Sequence, residues 1–177
     1  MNRSRRRSLG VKKDTDPQAT FNGAWDITDE AKACLEFLDA SGNVLSNIPA
    51  AGTYKIRMKE GVTIIRREAF YNCTSLTRIA FPNSVTTISI YVFADCTSLT
   101  SVTIPNSVTG IGEFAFANCA SLTSVTMLPK NPPAVGVNIF YELPSNAKVY
   151  VPAESAVAGK YGTVGSIWND LTVAIIP

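Results

Sequence analysis

FADCTSLTSVTI, residues 93–104, decides the fold, because nearly the same sequence returns as FANCASLTSVTM at residues 116–127. A third, looser copy begins at Phe70, so corresponding residues lie 23 positions apart. Five columns share this spacing: Phe70, Phe93 and Phe116; Cys73, Cys96 and Cys119; Leu76, Leu99 and Leu122; Ile79, Val102 and Val125; Phe81, Ile104 and Met127. A fixed period in the low twenties is typical of a solenoid in which each repeat forms one coil.

Each copy also predicts its own local structure. Ile79 and Phe81 alternate with polar residues, as in a short strand whose apolar side chains point inward. Pro82 then ends the strand, because proline has no amide hydrogen to donate to a continuing ladder. Stacked coils place such strands side by side, about 4.8 Å apart. The sequence therefore predicts a mostly β solenoid with a short parallel sheet.

The repeats are expected to occupy residues 54–130, and the last coil with a C-terminal cap residues 131–177. YKIRM at 54–58 is the first strand in register and KVYVP at 148–152 a late one, which gives four to five parallel strands. Both ends of such a stack have to be covered.

The two caps are predicted from segments that lack the repeat columns. Residues 21–53 are expected to form a short helix and a hairpin around Gly42. At the other end, we expect a short helix over residues 153–162, Trp168 as a lid on the last coil, and LTVAII as a final strand. The prediction is thus a solenoid that is capped at both ends.

The repeated phrase I-x-x-x-A-F-x-x-C-x-x-L-x-x-I-x-I-P resembles the BspA-like branch of the leucine-rich repeats, which is found in Treponema and Bacteroides surface proteins. The likeness covers about residues 54–152, and the tail KVYVPAESAVAGKYG is similar to the end caps of that group. Arg66 and Ser89 depart from the pattern at the position where Gly112 has the usual glycine. The resemblance implies a binding or adhesion module without catalytic machinery.

The first 13 residues form a basic arm with six cations and no acid, although the whole chain carries a net charge of only +2. The remaining 10 basic residues face 14 acidic ones, so the body is mildly acidic. The arm, residues 1–20, is expected to dock on an acidic partner through Arg3, Arg5, Arg6, Arg7, Lys12 and Lys13. Nucleic acid is a disfavoured partner, because the arm has no aromatic residue to stack on bases.

The N-terminal sequence shows no apolar run that fits a signal-peptide core, and no stretch of the chain approaches the roughly 18 apolar residues of a membrane span. The favoured hypothesis is therefore a structural or recognition subunit of a large assembly, such as a virion, present in multiple copies. The alternative is a bacterial cell-surface adhesin whose leader has been removed.

Enzymatic function is disfavoured by what the sequence lacks. The chain has no histidine, which is the commonest general base and metal ligand. The carboxylates are scattered, and no glycine-rich phosphate loop precedes a helix. The sequence predicts neither a catalytic residue nor a cofactor or metal site.

The cysteine column has a structural interpretation. Without a Cys-x-x-Cys pair or a histidine, Cys73, Cys96 and Cys119 are not expected to bind metal or to act as nucleophiles. Disulfides between neighbouring coils are an alternative, but stacked side chains point the same way and one of three would remain unpaired. We therefore expect small buried side chains that pack the interior.

The outward face of the sheet is the candidate binding surface, because register fixes which side chains stand on it. One column runs through Lys55, Arg78, Ser101 and Ser124, and the next through Arg57, Ala80, Thr103 and Thr126, with Tyr54, Thr77, Thr100 and Thr123 beside them. The predicted protein-binding residues are Lys55, Arg57, Arg78, Ser101, Thr103, Ser124 and Thr126. They make a face that is basic at one end and rich in hydroxyls beyond it.

Overall fold

The computed structural model describes residues 34–46, 52–157 and 160–176, which wind as a solenoid of about five turns. Each coil has three walls: a strand of a long sheet, a strand of a short sheet, and a turn-rich segment, here called the third wall, that contains the A-F-x-x-C phrase. The mostly β solenoid with 23-residue coils is confirmed. The basic arm and the expected helix before residue 34 lie outside the described residues.

Nine strands form the long sheet within the described part of the chain. From one edge to the other they are β2 (Val44–Leu45), β1 (Leu35–Leu38), β3 (Tyr54–Met58), β5 (Leu76–Ala80), β7 (Ser101–Ile104), β9 (Ser124–Met127), β11 (Lys148–Val151), β13 (Leu171–Ile175) and β12 (Ile167–Trp168). The six from β3 to β13 are parallel. The parallel run is therefore one strand longer than the sequence predicted, because the final strand joins it in register.

The short sheet lines a second wall of the coils. Its parallel strands are β4 (Ile64–Ile65), β6 (Thr87–Ile88), β8 (Gly110–Ile111) and β10 (Ala134–Val135). Threonine side chains reinforce this wall: the hydroxyls of Thr86 and Thr109 donate to the Thr63 and Thr86 carbonyls of the preceding coil, at 3.1 and 3.3 Å. Neighbouring coils are thus joined by side chains as well as by backbone.

The third wall stacks through backbone hydrogen bonds between coils. The Phe70 amide donates to the Val92 carbonyl at 2.9 Å, and the Phe93 amide to the Ala115 carbonyl at 2.8 Å. The wall turns at left-handed residues, which explains its column of Asn72, Asp95 and Asn118, with φ of 57°, 61° and 58°. Asparagine and aspartate tolerate this conformation better than other side chains that carry a Cβ. This column is therefore a ladder of turns, one in each coil.

The interior is a stack of identical rings. Phe70, Phe93, Phe116 and Phe140 stack on one another, with successive ring centroids 5.1, 5.2 and 5.8 Å apart. All four are at most 1% exposed, and the leucine column at residues 76, 99 and 122 is fully buried. Stacked aromatic pairs add to the free energy gained by burying their area. The repeated columns of the sequence thus form continuous stripes of the core.

The N-terminal end of the stack is covered by the hairpin of β1 and β2, which pair antiparallel through Phe37↔Leu45 and Leu38↔Val44. Its turn is closed by Asn43, whose amide and Nδ2 each donate to the Asp39 carboxylate at 2.9 Å. These hydrogen bonds lower the pKa of Asp39. The hairpin lies where the alternation around Gly42 predicted one.

The C-terminal end is covered by a short helix, α1 (Ala153–Val157), and by two aromatic side chains. Trp168 packs on Phe140 at 6.3 Å and on Tyr161 at 5.1 Å, as expected for a lid over the last coil. The Tyr161 hydroxyl donates to the Pro129 carbonyl at 2.9 Å, and burial raises the pKa of Tyr161 to about 12. The helix is shorter than residues 153–162, so the sequence overestimated its length.

Candidate functional site

The outward face of the long sheet has the register that the repeat predicted. Strand pairing aligns Lys55 with Arg78, Arg78 with Ser101, and Ser101 with Ser124. In the adjacent column Arg57 aligns with Ala80, and Thr103 with Thr126. Each of the seven predicted protein-binding residues is exposed or half-buried. The structure therefore brings all seven onto one surface.

The column continues beyond the residues that the sequence identified. Ser124 aligns with Lys148, and Thr126 with the half-buried Tyr150. Sequence reasoning missed both, although adding 24 rather than 23 to residues 124 and 126 finds them. The face therefore carries a cation at its far end as well as at its near end.

Tyr54, which the sequence placed beside this face, is instead part of the core. A β-bulge between Tyr54 and Lys55 aligns Tyr54 with Leu76 and leaves Thr77 without an opposite residue. Tyr54 is consequently 6% exposed and packs edge-on against Phe37, with ring centroids 6.1 Å apart. Burial is the main cause that raises its pKa. The expectation for Tyr54 was wrong because β5 has an extra residue at this point, Thr77. Tyr54 therefore takes the buried position of Leu76 and not the outward position of Thr77.

Two of the three threonines beside the face, Thr77 and Thr100, serve the stack rather than a ligand. The Thr77 hydroxyl donates to the Tyr54 carbonyl at 3.0 Å, and the Thr100 hydroxyl to the Thr77 carbonyl at 3.3 Å. By contrast, the hydroxyls of Ser101, Thr103, Ser124 and Thr126 make no hydrogen bond within the described chain. The hydroxyls that are available to a ligand therefore lie in the two central columns and at the exposed Thr123, whose hydroxyl also makes no hydrogen bond within the described chain.

The four cations of the face differ in what they already contact. Lys55 Nζ donates to the Ala40 carbonyl at 2.7 Å, and Arg57 Nη1 lies 3.0 Å from Glu36 Oε2. Both interactions attach the first repeat strand to the N-terminal hairpin. Arg78 and Lys148 are exposed and have no ion pair or hydrogen bond to the described residues. Among the four cations of the face, Arg78 and Lys148 are therefore the two that are free of partners among the described residues and can form ion pairs with a ligand.

The three column cysteines lie on the opposite side of the sheet, inside the solenoid, and are free thiols. Cys96 Sγ lies 3.1 Å from the Phe70 carbonyl oxygen, and Cys119 Sγ 3.1 Å from that of Phe93. Burial raises the pKa of Cys119 to about 12, and the pKa of Cys96 is raised as well, first by its hydrogen bond with Cys73. The pKa of Cys73 is lowered instead, first by its hydrogen bond with Cys96. All three cysteines are buried in the hydrophobic core, as the packing interpretation expects.

A groove of about 540 Å³ lies along the short sheet. Its lining includes Gly110, Gly112, Ala134 and Gly136, and Arg67 is the charged residue among its lining residues. The lining offers no carboxylate, thiol or imidazole for acid–base chemistry. Within the described ranges there is also no group of three or more histidine, cysteine or acidic residues placed to hold a metal, and no helix long and apolar enough to cross a membrane.

These features define a leucine-rich repeat protein, a class whose members generally bind other proteins. The BspA type leucine rich repeat region matches residues 51–161, more than half of the sequence. The chain therefore belongs to the BspA-type leucine-rich repeat family, which is generally non-enzymatic.

The solved structures that are similar to the chain include two leucine-rich repeat proteins. A leucine-rich repeat protein from T. pallidum is 29% identical, with a TM-score of 0.51 over 56% of this chain and 45% of that one. A leucine-rich repeat protein from Bacteroides ovatus ATCC 8483 is 22% identical, with a TM-score of 0.46 over 75% and 39%. The chain spans less than half the length of either structure. Comparison with curated proteins gives no match.

Proposed function

We propose that the protein is a non-enzymatic recognition module that binds a protein partner through the outward face of the long sheet. The observation that carries this proposal is the alignment of Arg78, Ser101, Ser124 and Lys148 in one column, with unpaired cations at its two ends. In the adjacent column the central residues, Ala80, Thr103 and Thr126, have small side chains, so they leave room for a partner beside Ser101 and Ser124.

The chemistry of the face suits recognition and not structure alone. The threonines that bind neighbouring coils stand outside the two central columns, so replacement of the central hydroxyls leaves the stack intact. Tyrosine and arginine are enriched among the residues that dominate binding energy at interfaces, and the face carries Tyr150, Arg57 and Arg78. Six parallel strands span about 24 Å, so two columns of that length offer less area than a standard interface, which buries about 800 Å² per partner. Several copies acting together would strengthen attachment.

The setting of this module stays a prediction. The arm-mediated docking and the virion both rest on residues 1–20, which lie outside the described residues. The cell-surface adhesin rests on the family resemblance. Both settings use the same binding face, so a test of the face comes first.

A selection from a random-peptide display library tests the proposal. Enriched peptides are assayed against the wild-type chain and against Ser124→Trp, which blocks the centre of the face. Glu113→Trp, at an exposed position of the third wall, is the matched control. We expect most selected peptides to lose binding to Ser124→Trp and to keep it with Glu113→Trp. Equal loss with both variants, or with neither, would overturn the assignment of the face.

A further inference from the structure

The binding face has a charge opposite to that of the body. The two columns carry Lys55, Arg57, Arg78 and Lys148 against the single carboxylate of Glu36, whereas residues 14–177 together have 10 basic and 14 acidic residues. Glu36 is already paired with Arg57. The face is therefore positive, whereas the rest of residues 14–177 is negative, and a positive face is complementary to an acidic partner.

The distance between Arg78 and Lys148 indicates how far apart the acidic groups of that partner should lie. Arg78 and Lys148 lie three strands apart in one column, roughly 14 Å at a strand spacing of about 4.8 Å. An extended polypeptide advances about 3.4 Å per residue and turns alternate side chains to the same side. Two acidic residues four positions apart in an extended segment are therefore separated by almost the same distance, roughly 13–14 Å.

The residues between the two cations complete the match. Ser101 and Ser124 place one hydroxyl each between Arg78 and Lys148, and neither makes a hydrogen bond within the described chain. A hydroxyl can both donate and accept, so these two serines suit the amide groups of a peptide that crosses the strands. The peptide residue midway between the two acids points to the same side as they do, toward Ser101 and Ser124. These serine side chains are small enough to leave room for it.

We propose that the partner presents an extended acidic segment with two carboxylates four residues apart, which lies across strands β5, β7, β9 and β11. One carboxylate pairs with Arg78 and the other with Lys148, while Ser101 and Ser124 bind the segment between them. This inference rests on the proposed function, since it names the chemistry of the partner that the same face binds.

The test uses synthetic peptides with the full chain at low ionic strength, where exposed ion pairs are least screened. The first peptide is built of threonine and serine, with two glutamates four residues apart and a neutral fluorophore. An isomer of the same composition has the glutamates adjacent, and a third peptide has glutamine in place of both. Binding is measured by fluorescence anisotropy. We expect the spaced peptide to bind most tightly, and the glutamine peptide most weakly.

Charge-removing variants locate the contacts. Arg78→Gln and Lys148→Gln are each expected to lower the affinity for the spaced peptide about two- to fivefold, which is the range for exposed ion pairs. The double variant should lower this affinity by about the product of the two single effects. Arg66→Gln, an exposed arginine of the third wall, is the matched control and should change nothing. Equal binding of the spaced and adjacent isomers, or an equal effect of Arg66→Gln, would overturn the inference.

Other anionic ligands are outcomes of the same experiment. A heparin-derived oligosaccharide is tested in the same way. If it binds more tightly than the spaced peptide, with the same dependence on Arg78 and Lys148, the proposal of an acidic peptide segment is wrong and the partner is a sulfated glycan. Selected display peptides that need the face but lack acidic residues would also refute this inference, yet they would leave the proposed function standing.

Discussion

The thiol of Cys119 donates to the backbone carbonyl of Phe93, 26 residues earlier, at 3.1 Å, and Cys96 makes the same contact with Phe70. A cysteine in this column therefore binds the coil before its own. The Phe93 carbonyl already accepts from the Cys96 amide at 3.3 Å, so the thiol gives its oxygen a second donor in an interior from which water is excluded.

Replacement of this thiol should have a characteristic pH dependence. The raised pKa of Cys119, about 12 against an ordinary 9.0, means that the thiol stabilises the fold fully below pH 9 and loses this stabilisation as the pH rises to 12. Cys119→Ser should cost about 1–2 kcal/mol at pH 7, because a more polar group is buried. Since serine does not titrate here, the difference from wild type in urea unfolding should shrink above pH 9. A constant difference from pH 7 to pH 11 would contradict this account.

The register predicts opposite tolerance at positions two residues apart. Leu99 is fully buried, so Leu99→Ala should destabilise the protein by about 2–5 kcal/mol through a core cavity. Ser101 stands on the outward face, and Ser101→Lys should change the free energy of unfolding by no more than about 0.5 kcal/mol. Chemical denaturation measures both. Similar costs at the two positions would contradict the assigned register.

Two glycines form a second matched pair: Gly110 lies in β8 of the short sheet, and Gly112 directly follows that strand. A Cβ added to Gly112 would lie 2.6 Å from the Ile90 backbone nitrogen of the preceding coil, whereas one added to Gly110 meets nothing within 4 Å. Because backbone must move to admit it, Gly112→Ala should cost about 1–3 kcal/mol. Gly110→Ala should be nearly neutral. Thermal unfolding distinguishes the two, and equal melting temperatures would refute the close approach of these coils.

The threonine beside the bulge gives a test of the hydrogen bonds between coils. Thr77→Val removes a hydroxyl that donates to the Tyr54 carbonyl, and should cost about 0.5–1.5 kcal/mol. Thr103→Val removes a hydroxyl that makes no hydrogen bond within the described chain, and should cost less. The comparison cancels most of the effect of the added methyl group. A larger loss for Thr103→Val in urea unfolding would argue against a structural role for Thr77.

The sequence predicted those parts of the fold that its period determines. Ile79, Val102 and Val125 pair as the 23-residue spacing required, and the cysteines occupy the core. What it missed follows from departures from that period. The extra residue of β5, Thr77, breaks the 23-residue correspondence, so Tyr54 aligns with the buried Leu76. The change to a 24-residue spacing concealed Lys148 as a member of the binding face.

The sequence predicted where the candidate site lies. It did not predict which of its side chains are free to contact a ligand. The alternation of strands indicates which residues face outward. It does not indicate that Lys55 and Arg57 contact the N-terminal hairpin, because Ala40 and Glu36 belong to a segment without the repeat. Contacts between a repeat and its cap depend on the cap's own fold. For this reason only the structure shows that Arg78 and Lys148 are the two cations of the face without an ion pair or hydrogen bond to the described residues.

The central claim is that successive 23-residue coils are superposed, so that equivalent residues are neighbours. Nuclear Overhauser effects between the methyl groups of Val102 and those of Ile79 and Val125 test it most directly in the methyl-labelled protein. Superposed coils predict cross-peaks from Val102 to both residues, and none between Ile79 and Val125, which lie two strands apart. A spectrum in which Val102 shows core contacts, but none to Ile79 or Val125, would contradict the account.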